Sequence, residues 1–177
     1  MKKIKGLLYC TKEKPYIMKY KDGKYKEMAS FYNKQELLNG KIVAECDFEV
    51  DEHKETNIDW LCMSLREKII FGNMCEKANI DELKCYEYAN GKPLYALHIS
   101  NLKIFDKPYK LGEALIYNWE SQIIVEIAPQ NMCRVYNRGG EGLVLISVQP
   151  QELCRILNGE QTILIKKQVL NCMKDND

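Results

Sequence analysis

Gly142–Gln168, GLVLISVQPQELCRILNGEQTILIKKQ, divides into three pieces. Leu143-Val144-Leu145-Ile146-Ser147-Val148 is a short apolar run rich in β-branched residues, which predicts a buried strand. Gln149-Pro150-Gln151 interrupts it, and Pro150 suits the first turn of a helix, where a missing N–H costs nothing. Leu153, Ile156 and Leu157 then mark one face of a short helix that Asn158-Gly159 ends. Thr162-Ile163-Leu164-Ile165-Lys166 is a second strand. Strand, helix and strand are too few to bury a core alone. The fold therefore depends on what the preceding residues add to them.

Working back along the chain, Arg138-Gly139-Gly140-Glu141-Gly142 is the most linker-like stretch, with three glycines in five residues. Before it, Leu115-Ile116-Tyr117 and Ile123-Ile124-Val125-Glu126-Ile127 read as strands, and Ala128–Cys133 as a Pro-marked loop. Leu94–Phe105 is strongly β-like, with a bend at Ser100-Asn101, and Asp106-Lys107-Pro108 reads as a loop. Residues 59–90 lack strand alternation. There Leu61, Leu65, Ile69 and Ile70 share a helical face. Asn79 or Asp81 is placed to cap a second short helix with Leu83 and Tyr86 inward. Lys41–Val50 alternates, with Ala44, Cys46, Phe48 and Val50 on one side. Gly6–Thr11 is a strand. Tyr16–Tyr20 and Tyr25–Phe31 form a hairpin around Lys21-Asp22-Gly23-Lys24, whose Asp-Gly is a turn signal.

The chain has 177 residues, enough for one ordinary domain with its own core. Net charge is +1, so overall charge neither supports nor excludes a nucleic-acid partner; only a local basic patch would. No apolar run reaches the roughly 18 residues of a membrane span. The N-terminus has no signal-peptide pattern. The eight cysteines show no C-x-x-C spacing and read as reduced, mostly buried thiols of a cytoplasmic protein. Cysteines and histidines are scattered singly, so neither a metal nor any other cofactor is expected. No Gly-rich phosphate loop follows a strand.

Seven or so short strands, one helix between two of them and one helical insert predict an α+β, mainly β fold. The architecture expected is a small mixed β-barrel with a helix across it.

The strand–helix–strand unit resembles the opening of an ASCH domain, a branch of the PUA-like superfamily. The matching residues are Ser147-Val148-Gln149-Pro150 and Gly159-Glu160-Gln161-Thr162-Ile163-Leu164-Ile165-Lys166. Leu8–Lys12 and Asn39–Glu45 resemble the family's middle strands. Tyr95–Pro108 resembles the closing strand of phage and gut-bacterial members, and Ala128–Cys133 their final segment. The resemblance covers most of the chain, but the pieces run middle, end, beginning. It implies one circularly permuted PUA-like domain, residues 1–136 and 143–168, joined at 137–142. The protein would be a monomer or a domain-swapped dimer.

The same resemblance implies an RNA or modified-nucleoside ligand beside the opening helix. It implies ligand contacts from Lys12, Lys14, Gln149, Gln161, Thr162 and Lys166, with Lys167 nearby. Lysines hold phosphates without reading sequence. Tyr16 is placed to stack on a base, whereas Tyr9 belongs to a strand interior. ASCH amidohydrolases that deacetylate acetylcytidine carry a lysine where this chain has Gln161 and a threonine where it has Leu164. Glutamine is neither nucleophile nor base and leucine has no hydroxyl, so a non-catalytic module is expected. Two other readings remain: a hydrolase of a modified nucleoside, and a protein-interaction module that has lost the ligand site. His98 reads as a core histidine with its hydrogen bond satisfied. Glu45, Asp47 and Glu49 read as a solvent face, and Trp60 and Trp119 as core or rim.

Overall fold

The computed structural model describes residues 2–30 and 37–174. The expected end of the second hairpin strand, at Phe31, lies outside the described residues. Among these residues nine strands occur in the order β1 (Lys3–Cys10), β2 (Tyr16–Lys19), β3 (Tyr25–Met28), β4 (Lys41–His53), β5 (Leu94–Lys110), β6 (Tyr117–Asn118), β7 (Met132–Tyr136), β8 (Gly142–Val148) and β9 (Ile163–Lys166). Helices α1 (Leu65–Lys77) and α2 (Glu82–Ala89) fall between β4 and β5, and α3 (Pro150–Leu157) between β8 and β9. Among the described residues the protein is thus mixed α and β, mainly β.

Seven strands form one sheet in the order β6-β7-β8-β1-β4-β5-β9, and β2 and β3 form a separate hairpin. The sheet is not closed into a barrel. Its terminal strands, β6 and β9, have two and four residues and are not hydrogen-bonded to each other.

Contacts within the chain gather into two compact units, each built from separated segments. The first comprises Ile4–Asp47 and Asn101–Gly159. Here β8 lies parallel to β1, Gly6 opposite Val144 through Cys10 opposite Val148. Leu7, Tyr9, Leu143 and Leu145 enter one buried cluster with Ile42 and Val135. On α3, Leu153, Ile156 and Leu157 are buried as the periodicity predicts. The helix meets the β2–β3 hairpin, where Asn158 Oδ1 accepts from Tyr25 N at 2.9 Å and its Nδ2 donates to Tyr25 O at 2.8 Å.

The glycine-rich stretch is a tight hairpin and not a linker. Asn137 N donates to Glu141 O, and Asn137 Oδ1 accepts from Gly139 N and Glu141 N, each at 3.0 Å. Gly140 has φ +81°, a left-handed conformation that favours glycine. The turn joins β8 to β7, a strand at Met132–Tyr136 where a loop was expected in part. Conversely, Ile123–Ile127 forms only a single antiparallel bridge, Ile124 opposite Tyr117, and no full strand. Asn118 Oδ1 accepts from Glu120 N and Ser121 N and folds the chain into a turn, leaving Ile123 and Ile127 exposed. Asp106–Pro108 continues β5 and is no loop. The expected bend is real: Asn101 has φ +51°, and its Nδ2 donates to Asp47 Oδ2 at 2.7 Å.

The second unit comprises Phe48–Ser100 and Glu160–Asp177, with Met1–Lys3. Ser64 and Glu67 form a reciprocal capping box on α1, and Asp81 caps α2 through Lys84 N. Phe71, Met74, Cys75, Cys85 and Ala89 fill the core with Leu94 and Ile163. Leu61, Leu65, Ile69, Ile70 and Leu83 are exposed, so the inward face differs from the one the aliphatic spacing suggests. The reason is the aromatic trio: Phe71 and Tyr86 meet Trp60 edge to face at centroid distances of 6.0 and 5.6 Å. Their large rings set which side of each helix turns inward. Strand β9 runs antiparallel to β5, with Leu164 opposite Leu97, both fully buried.

None of the eight cysteines is in a disulfide, and five of them are buried. No helix among the described residues is long and apolar enough to cross a membrane.

Candidate ligand site

In the first unit, Asn39 ties the turn after β1 to the start of β2. Its Nδ2 donates to Glu13 O at 2.9 Å, Thr11 O at 3.2 Å and Pro15 O at 3.3 Å, while its Oδ1 accepts from Ile17 N at 2.9 Å. Gly40 N donates to Cys10 O at 2.7 Å. One side chain therefore bonds backbone groups of Thr11, Glu13, Pro15 and Ile17, across the stretch 11–15 that lies between β1 and β2. Lys12 lies in that stretch and Tyr16 directly after it.

Gly40 has φ +77°, and the stem of Lys12 lies against it. Both residues line a cavity of about 770 Å³. Lys12, Lys41 and Lys110 supply its charge, against one carboxylate, Glu126. Tyr9, Tyr16, Leu111 and Ala128 supply apolar wall. Tyr9 is buried, as its strand position predicts, and burial pushes its hydroxyl pKa up. A pocket of this size with cationic rims and aromatic walls suits an anionic, planar ligand.

Of the six residues expected to bind ligand, Lys12 lines this cavity. Lys14 is exposed in the same tethered segment, next to Pro15, whose peptide bond is cis. Gln149 is exposed at the N-cap of α3 without a side-chain capping bond. The other three belong to the second unit. Gln161 is buried and its Nε2 donates to Ile163 O at 2.9 Å. Thr162 is exposed, and its backbone bonds Lys77 O and Ile99 N. Lys166 sits in β9 opposite Tyr95. Lys167 Nζ lies 4.4 Å from the centroid of the Tyr88 ring. The expected position beside α3 is taken by the β2–β3 hairpin, because the apolar face of the helix needs cover. Asn39, Lys41 and Lys110 were not singled out from sequence as ligand residues, and Tyr9 was read as a strand-interior residue; the Asn39-Gly40 turn was the only local sign.

The second unit brings the chain's only two histidines to one carboxylate. His53 Nε2 lies 3.1 Å and His98 Nε2 3.8 Å from Asp51 Oδ2, and His53 Nδ1 lies 2.6 Å from Glu55 Oε1. Burial works against a charged His53, but the hydrogen bonds and charges of Glu55 and Asp51 outweigh it and raise its pKa. His98 differs from expectation: it is partly exposed, and its Nε2 has no hydrogen-bond partner among the described residues. No group of three or more His, Cys, Asp or Glu side chains among the described residues is arranged to hold a metal ion.

No protein-family model, curated protein or solved structure matches this chain.

Proposed function

We propose that this chain is a non-catalytic, cytoplasmic RNA- or nucleotide-binding module of the ASCH, PUA-like type, with its segments in permuted order. The observation that carries the binding reading is the cavity around Lys12, Tyr16, Lys41 and Lys110, where three lysines surround an aromatic and aliphatic wall. Phosphate oxygens would meet the lysines and a base the ring of Tyr16. The parallel pairing of β1 with β8, inside one buried cluster, supports permutation, since it seats residues 143–148 beside 6–10 of the same chain. The buried states of Gln161 and Leu164 support the absence of hydrolysis.

The test is fluorescence anisotropy with a labelled single-stranded RNA octamer between about 50 and 200 mM salt. Affinity should fall linearly on logarithmic axes, with a slope of about 0.7 per phosphate held. Replacing Lys12 or Lys110 by glutamine should lower that slope. An affinity that is absent, or indifferent to salt, would rule the reading out.

A further inference from the structure

The cavity at Lys12 has a neighbour. A second hollow, of about 630 Å³, shares Leu37 and Lys41 with it. Two strands lead from one to the other. On β2, Tyr16 lines the first, and Met18 with Lys19 the second. On β5, Lys110 lines the first, and Lys107 with Pro108 the second. The second hollow repeats the character of the first: Lys19, Lys21 and Lys107 against the single carboxylate of Asp106, with the Tyr20 ring and Pro108 as apolar wall. Each volume falls in the range that holds one small organic ligand, roughly 300–1,000 Å³.

A free nucleotide would use one hollow and leave the other without purpose. A strand of linked nucleotides would use both, and its linking phosphate would cross the shared wall. That wall carries Lys41, half-buried at the start of β4 and without an ion pair among the described residues. We infer that the ligand is an oligonucleotide, with successive nucleotides in the two hollows and Lys41 on the phosphate between them. This rests on the RNA-binding reading above and narrows it from a mononucleotide to a strand.

The experiment compares uridine 5′-monophosphate, 5′-phosphorylated diuridylate and the RNA octamer by calorimetry on the full chain. The dinucleotide should bind at least about tenfold more tightly than the mononucleotide, since a second stacked base is worth that much. Lys41→Gln should weaken the dinucleotide by a larger factor than the mononucleotide, whose cavity it also lines, and so remove most of this gain, while Lys12→Gln weakens both ligands by a similar factor. Lys41→Arg, which keeps the charge, should retain the gain and guards against a folding defect. If the octamer binds but the dinucleotide gains nothing over the mononucleotide, the two-hollow inference fails alone. It fails equally if Lys41→Gln weakens both small ligands by the same factor. If none of the three ligands binds, the RNA reading fails with it.

Discussion

The aliphatic stem of Lys12 lies across Gly40, so closely that a Cβ at residue 40 would stand 3.3 Å from both Cγ and Cε of the lysine. Gly40 also has φ +77°, where any side chain is strained. Gly40→Ala should therefore destabilise the protein by about 1–2 kcal/mol. It should also push Lys12 aside. A denaturant midpoint checks the first effect, and weaker RNA binding than that loss of stability accounts for checks the second.

Asn39 holds the segment on which Lys12 and Tyr16 stand. Asn39→Ala leaves its backbone partners to find water, at a cost of about 1–3 kcal/mol. Asn39→Asp keeps the acceptor for Ile17 N but loses the donors to Thr11, Glu13 and Pro15, so it should recover only part of the stability. Limited proteolysis should cut within residues 11–17 in both variants, Ala more readily. Equal resistance to wild type would contradict the tether.

His53 links stability to pH. Its folded pKa is raised above the unfolded value of about 6.5. Charged His53 therefore contributes its full stabilisation below about pH 6.5, and the contribution fades as pH rises through the folded value. Denaturant midpoints should fall across that window in wild type. His53→Gln should flatten this part of the profile. A profile that keeps its full slope in the variant would show that other groups set it.

Under the proposed ASCH resemblance, Gln161 takes the position of the amidohydrolases' lysine. Here it is buried, with its amide on Ile163 O. Gln161→Lys should cost about 3 kcal/mol, by burying a charge where an amide sits, and should leave acetylcytidine intact. Thermal melting and chromatography of the nucleoside after incubation check both. Deacetylation by the wild type would overturn the non-catalytic reading.

The strand–helix–strand of residues 143–166 was legible because its signals are local. Apolar β-branched runs, helical spacing, Pro150 and Asn158-Gly159 act within a few residues of each other. The same holds for the Asp22-Gly23 hairpin and the Asp81 cap. Lys12 and Tyr16, both expected near a ligand from the sequence, line the cavity, but most of its other walls had no sequence signal. Lys41 and Lys110 are ordinary lysines in the sequence, and only the fold of the first unit sets them around Tyr16.

The chain by itself determined where most strands and helices begin and end, since those boundaries depend on local hydrogen bonding and backbone preference. Tertiary structure decided what distant residues do to one another. It chose Phe71 and Met74 over Leu65 and Ile69 as the inward face of α1, because aromatic neighbours fill that side. It left the sheet open, brought His53 and His98 to Asp51, and made Asn39 the tether of residues 11–17. Each of those outcomes depends on contacts between residues distant in sequence, and no local periodicity encodes them.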